Sequence, residues 1–194
     1  MYIGQTRDGL PDGRGYEYDG DGRLRLKGHF KSGLPDGNVT EYTRDGIKIY
    51  EGQMIEGKRN GTGKLWEYND DGSVYSLYYG SFSDDKKSGY GLSTVYKYGD
   101  IVSRYEGGYY GGYRTGFGIN EYEIENTGEK HIYCGNFHNG YLYGYGVIYD
   151  SSHQLLKSGF FKEDKLEQPL KPEEFEEPAG ELEKYKCPAV TIWD

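Results

Sequence analysis

Residues 50–68 read YEGQMIEGKRNGTGKLWEY, and the fold turns on why glycine stands at positions 52, 57, 61 and 63 of that stretch. A phosphate-binding loop is one answer, since Gly61-Thr62-Gly63-Lys64 looks like the end of such a motif. The spacing rejects it. The motif needs a glycine five places before its Gly-Lys pair and Ser or Thr after it, where this chain has Lys58 and Leu65.

The other answer is recurrence, which is sought before any single motif is believed. With the first glycine of each unit as an anchor, the series is Gly4, Gly28, Gly52, Gly80, Gly107 and Gly135, followed by a truncated copy at Gly159. Nine residues on stand Gly13, Gly37, Gly61, Gly89, Gly116 and Gly144, and eleven on stand Gly15, Gly63, Gly91, Gly118 and Gly146, with Val39 the exception. Five on stand Gly9, Gly33, Gly57, Gly112 and Gly140, replaced by Asp85 and Asp164 in two units. Two before each full anchor lies Tyr2, Leu26, Tyr50, Tyr78, Tyr105 or Tyr133. Two after lies Thr6, Phe30, Met54, Phe82, Tyr109 or Phe137, with Phe161 in the last copy.

The repeat accounts for an unusual composition. The chain has 194 residues with 32 Gly and 23 Tyr but only 35% hydrophobic residues, too few aliphatic side chains for an ordinary two-layer core, so tyrosine replaces leucine as the burying residue. A formal charge of −9 argues against nucleic acid and disfavours an anionic membrane, since both need a positive surface. Cys134 and Cys187, the two cysteines, read as free thiols of a reducing compartment. The repeat already includes Tyr2, which leaves no room for a signal peptide, and no apolar run has membrane-spanning length; a cytoplasmic location is therefore expected.

Each unit reads as a β-hairpin. Along Tyr50-Glu51-Gly52-Gln53-Met54 side chains alternate faces, which puts Tyr50, Gly52 and Met54 on one face and Glu51 and Gln53 on the other. The same pattern places Lys27, His29, Cys134 and Asn136 outward, so one face is aromatic and the opposite face mostly polar. Residues 57–61 are expected to form the turn and residues 61–68 the returning strand, with Asp45-Gly46 and Asp71-Gly72 leading to the next hairpins. Glycine within a strand is kept where another group approaches the backbone. Each anchor glycine is therefore expected to leave a notch for a ring from the neighbouring hairpin. Gly28, Gly52, Gly61, Gly80, Gly107, Gly116, Gly135 and Gly144 are the structural glycines on this reading. The anchors are 24, 24, 28, 27, 28 and 24 residues apart. Four extra residues keep the facing pattern and three do not, which predicts a bulge or an altered loop near residues 96–103.

The pattern Tyr-x-Gly-x-aromatic, with glycine at the fifth, ninth and eleventh following positions and an aromatic near the fourteenth (Tyr18, Tyr42, Trp66, Tyr149), resembles the membrane occupation and recognition nexus (MORN) repeat. The resemblance covers about residues 1–166 and departs at Thr6, Leu26, Val39, Asp85 and the stretched middle units. It implies an all-β repeat protein: six to seven stacked hairpins in an elongated, curled, single-layer antiparallel sheet with an aromatic-lined groove. Such repeats occur in junctional membrane proteins, as non-catalytic arms of lipid kinases and lysine methyltransferases, and in stand-alone scaffolds, so fold does not settle function.

Residues 167–194 form a Pro- and Glu-rich tail with a closing apolar stretch, Ala189 to Trp193. A short helix from about Glu173, with Pro172 at its first position, is one expectation. Solvated disorder, capping of the sheet by Phe175, Tyr185, Ile192 or Trp193, and a docking peptide for another protein are the alternatives. No catalytic constellation stands out. Cys134 and His138 are about 13 Å apart along an extended strand, too far to share a zinc ion with His131, and no nucleophile-and-base pattern is visible. No metal, cofactor or enzymatic activity is expected.

A single-layer sheet must still cover its apolar face. Mutual packing of the rings is one solution. The other is a partner helix or peptide bound in a groove formed by Tyr50, Met54, Tyr78, Phe82, Tyr105, Tyr109, Tyr133 and Phe137, since tyrosine gives large contact area at low entropy cost. The expected function is accordingly a non-enzymatic protein-interaction scaffold. A lipid-surface module acting through Lys58, Arg59, Lys86 and Lys87 and a regulatory arm of a separate enzyme are the alternatives. Homodimerisation by edge or groove contact also stays open.

Overall fold

The computed structural model describes residues 1–171. The chain is all-β, with fourteen strands among the described residues, and it forms two compact units, Met1–Asp100 and Ile101–Asp194. The first unit carries β1 (Tyr2–Arg7), β2 (Leu10–Tyr18), β3 (Leu24–Lys31), β4 (Leu34–Tyr42), β5 (Lys48–Ile55), β6 (Lys58–Tyr68), β7 (Val74–Ser83) and β8 (Lys86–Lys97). The second is built from β9 (Asp100–Tyr110), β10 (Tyr113–Glu123), β11 (Lys130–His138), β12 (Tyr141–Asp150), β13 (Leu155–Lys162) and β14 (Lys165–Pro169). Within each unit every strand pairs antiparallel with its neighbours in sequence, so each sheet is a plain meander of hairpins.

The turns are tighter than the spacing alone suggests. Each hairpin closes through two residues, both at positive φ: Glu56 at 49° and Gly57 at 80° in the third, Asn139 at 50° and Gly140 at 91° in the sixth. That is the type I′ geometry whose twist matches the flanking strands. It corrects the turn expected over residues 57–61, because Lys58, Arg59 and Asn60 already belong to β6. The glycine at the ninth position does something else. Gly52 pairs with Gly63 and Met54 with Arg59, so one residue of β5, Gln53, faces three of β6 and the ladder bulges. Gly61 sits in that bulge at φ 82°, and Gln53 Oε1 accepts the Thr62 amide across it at 3.0 Å. Glycine meets the left-handed backbone there without strain.

Aspartate at the fifth position has its own logic. The second turn residue of one hairpin donates its amide to the preceding hairpin, as Gly57 does to the Pro35 carbonyl at 2.8 Å and Asp85 to the Arg59 carbonyl at 3.0 Å. Proline has no amide to offer in return. At Arg59 and Leu142, which do have one, an aspartate side chain accepts it: Arg59 donates to Asp85 Oδ1 at 2.9 Å and Leu142 to Asp164 Oδ1 at 2.8 Å. The altered loop expected near residues 96–103 is the two-residue connection Tyr98-Gly99, at φ 56° and 90°. The corresponding connections at residues 19–23, 43–47 and 69–73 each span five residues. At the other end, β14 runs to Pro169, past the boundary expected at 166, and Leu170 donates its amide to the Ser158 carbonyl at 2.9 Å. The short helix expected from about Glu173 lies outside the described residues.

The tyrosine ring covers its own repeat's glycines, which corrects the expected donor of the ring. A Cβ on Gly63 would lie 2.5 Å from the Tyr50 hydroxyl oxygen, and one on Gly118 would lie 2.6 Å from Tyr105 Cε2. The neighbouring hairpin contributes a different ring. Phe82 meets Tyr78 of its own repeat at 5.1 Å and Tyr50 of the preceding one at 5.4 Å, both edge-on; Phe137 bridges Tyr133 and Tyr105 at 5.2 and 5.0 Å. Edge-to-face contact suits the ring quadrupoles. The two exceptions in the second repeat fall at the two positions of the ring-over-glycine contact, because Leu26 replaces the tyrosine and Val39, the register partner of Gly28, replaces the glycine. Both are buried. Leu26→Tyr alone therefore overpacks and should cost about 1–3 kcal/mol. Leu26→Tyr with Val39→Gly should recover most of that loss in urea unfolding, and an additive double variant would show the two sites to be independent.

Candidate functional site

The eight expected groove residues all lie on the glycine-bearing face of their sheets, where alternation places them: Tyr50 and Met54 on β5, Tyr78 and Phe82 on β7, Tyr105 and Tyr109 on β9, Tyr133 and Phe137 on β11. All eight are buried. Each repeat tyrosine also spends its hydroxyl on a carbonyl three residues on: Tyr50 donates to Gln53 at 2.7 Å, Tyr78 to Ser81 at 2.9 Å, Tyr105 to Gly108 at 3.0 Å and Tyr133 to Asn136 at 3.0 Å. For Tyr50 the acceptor is Gln53, the β5 residue that faces the bulge of β6.

Charge closes the rings from above. The Arg59 guanidinium lies 5.0 Å from the Tyr50 ring centre, Lys87 Nζ lies 5.0 Å from that of Tyr78, and the Arg114 guanidinium lies 4.6 Å from that of Tyr105. These are cation–π distances. All three cations come from the seventh position after an anchor, which the glycine and aromatic pattern does not single out. Arg59 is further held by Glu41 at 2.8 Å, and Arg114 donates to Asn120 Oδ1 at 3.1 Å.

Burial pushes the Tyr50 phenol up to about 12, against the pull of the nearby Arg59. A phenol held neutral in the fold stabilises it fully below its ordinary value near 10, and that contribution is lost as pH rises through about 12. Stability should therefore fall across this window. Tyr50→Phe should remove up to about 1.4 kcal/mol per pH unit of the slope, measured by urea unfolding at successive pH values. An unchanged slope would mean that Tyr50 ionises freely in the fold.

In the second unit the same face opens into a cleft of about 450 Å³. Phe137, Ile148 and Phe161 form its apolar wall, while Arg114, Asn120, Tyr122, Lys157 and Asp164 supply polar groups. Of the expected groove residues, Phe137 alone lines this cleft. Burial, reinforced by the nearby Asp164 carboxylate, raises the Tyr122 phenol above its ordinary range. The turn carboxylates have structural work instead: Asp150 Oδ1 accepts the amides of Ser152 at 2.8 Å and Gln154 at 2.9 Å.

The opposite face departs from the mostly polar reading in the second unit. Ile132, Cys134 and Val147 form a buried cluster there, with Ile119 and Tyr149 packed against it. Cys134 is fully buried and disulfide-bonded, which corrects its reading as a free thiol and removes that argument for a reducing compartment. Cys187 lies outside the described residues. His131 and His138 turn to other neighbours, Tyr122 at 6.0 Å and Tyr143 at 5.4 Å between ring centres. Among the described residues no three His, Cys, Asp or Glu side chains are grouped to hold a metal ion, and no helix is long and apolar enough to cross a membrane.

No family model matches the chain, and no curated protein matches it either.

Proposed function

We propose that this chain is a non-enzymatic scaffold of the MORN-repeat kind, whose second unit holds a segment of a partner protein on its ladder face. The observation that carries this reading is the cleft bounded by Phe137, Ile148 and Phe161, where an apolar wall meets Arg114, Asn120, Tyr122, Lys157 and Asp164. Apolar lining with a few fixed polar groups is the general form of a recognition site. Since the ladder rings are consumed by packing, specificity falls to these flanking groups. Among them the Lys157 ammonium suits a carboxylate beside an apolar side chain, taken from an extended segment or one turn of helix, while the Asp164 carboxylate is occupied by the Leu142 amide at 2.8 Å.

Of the four cations the lipid-surface alternative draws on, three are paired: Lys58 with Asp84 at 3.0 Å, Arg59 with Glu41 at 2.8 Å and Lys87 with Glu67 at 3.9 Å. No observation favours the regulatory-arm reading over the scaffold. As to location, the disulfide-bonded Cys134 is the observation against the cytoplasm.

Selection from a random peptide display library tests the scaffold reading. Peptides pairing an apolar residue with Asp or Glu should be enriched, and calorimetry should show binding weakened about tenfold or more by Lys157→Glu, a loss of about 1.4 kcal/mol. Circular dichroism would establish that the variant is folded. Absence of enrichment, or equal binding by the variant, would overturn the assignment of the cleft.

A further inference from the structure

We propose that the first unit carries a binding site of its own on the face opposite the tyrosine ladder, and that it takes a phosphate monoester of a small soluble molecule on Arg14, Lys27 and His29. The site is the back of the glycine row. Gly15 pairs with Gly28 and Gly28 with Val39, all three on the ladder face, so alternation turns residues 14 and 16, 27 and 29, 38 and 40 to the other side. There they line a cleft of about 530 Å³ together with Glu51. Tyr16, Lys27, Thr40 and Glu51 stand in one register row, and the short, buried Thr40 between two long side chains forms its floor. The volume suits a small molecule.

The lining is unlike the rest of a chain whose formal charge is −9. Among the described residues neither Arg14 nor Lys27 belongs to an ion pair. Arg14 Nε donates to His29 Nε2 at 3.2 Å, which leaves the two terminal guanidinium nitrogens to a ligand, and Gln5 Oε1 fixes the strand beneath by accepting the Arg14 amide at 2.8 Å. The one carboxylate of the lining, Glu51, is already held by Lys48 at 2.8 Å. A guanidinium and an ammonium, flanked by the Asn38 amide and the Thr40 and Tyr16 hydroxyls, offer more donors than the two oxygens of a carboxylate accept. A phosphate monoester, with three terminal oxygens and up to two charges, uses them. Tyr16 is 48% exposed, and its ring adjoins these cations as a surface for the organic part of the ligand.

The combination occurs at one repeat boundary. At the next, the residues corresponding to Arg14, Lys27 and His29 are Asn38, Glu51 and Gln53, and before Gly135 and after it they are Phe117, Cys134 and Asn136. The ladder face recurs from repeat to repeat because ring-over-glycine packing requires it. The basic trio does not recur, so the packing of the repeat does not account for it.

Heteronuclear NMR of the full chain, titrated with phenyl phosphate at constant ionic strength, tests the site. Saturating shifts should centre on residues 14–16, 27–29 and 38–40, and inorganic phosphate should reproduce those at Arg14, Lys27 and His29 at higher concentration. Arg14→Ala with Lys27→Ala, both at exposed positions, should weaken binding at least about tenfold, since charge-assisted hydrogen bonds supply it. Tyr16→Ala should weaken phenyl phosphate about threefold and leave inorganic phosphate unchanged. Circular dichroism would establish that the variants are folded. Shifts that climb without saturating or scatter over the surface, or equal binding by the double variant, would overturn the site. An equal loss of both probes in Tyr16→Ala would overturn the role of the ring. Capture by vesicles containing phosphatidic acid, with no response to phenyl phosphate, would overturn the assignment to a soluble ligand.

Discussion

Gly63→Ala is expected to destabilise the chain by about 3 kcal/mol, the upper part of the overpacking range, although it adds a single methyl group. The backbone at Gly63 is extended, so none of this cost comes from the dihedral angles. It comes from the Tyr50 ring, whose oxygen and Cε2 would stand 2.5 and 2.6 Å from the new Cβ. The ring has nowhere to go. Its hydroxyl is tied to the Gln53 carbonyl at 2.7 Å, Phe82 meets it edge-on at 5.4 Å, and Arg59 lies across it at 5.0 Å. Urea unfolding followed by circular dichroism measures the loss. A double-mutant cycle with Tyr50→Ala identifies the cause, because the methyl should be tolerated once the ring is gone. A penalty unchanged in the Tyr50→Ala background would mean that the Gly52–Gly63 backbone approach, and not the ring, requires glycine.

Tyr78→Ala and Tyr79→Ala are expected to differ by several kcal/mol although the residues are adjacent. Tyr78 is fully buried, donates to the Ser81 carbonyl at 2.9 Å and packs edge-on against Phe82, so its removal leaves a cavity and an unmatched acceptor. The expected cost is about 3–5 kcal/mol. Tyr79 points to the other face, is 46% exposed and meets Lys64 at 5.7 Å, a contact that water largely replaces. Its removal should cost about 0.5–1 kcal/mol. Similar losses at the two positions would show that the rings on the opposite face bear on stability as much as the ladder does.

Several features of the fold were legible because they recur. The anchors from Gly4 to Gly159 mark the hairpins, alternation puts Tyr50 and Met54 on one face, and the 27-residue step marks the altered loop. Other features were out of reach, because a period tells which face a residue takes and not which residue stands opposite it. Leu26 and Val39 are both visible as exceptions, but only register, which sets Val39 against Gly28, puts them at the two positions of one ring-over-glycine contact. The one-against-three bulge at Gln53 is equally silent, and with it the reason why the ninth-position glycine takes positive φ. Asp85 and Asp164 look like lapses of the pattern until their carboxylates are seen on the Arg59 and Leu142 amides.

The candidate site shows the same division more sharply. Sequence alone determined that the chain is an all-β repeat of hairpins with tyrosine and glycine on one face, because spacing and side-chain alternation are local properties of the chain. Tertiary structure decided that these tyrosines cover their own glycines and are buried, that cations from the seventh position lie over them, and that Cys134 belongs to an apolar row and not to a polar face. Each of those outcomes depends on strand register and on segments meeting across the sheet, distances that no spacing along the chain can specify.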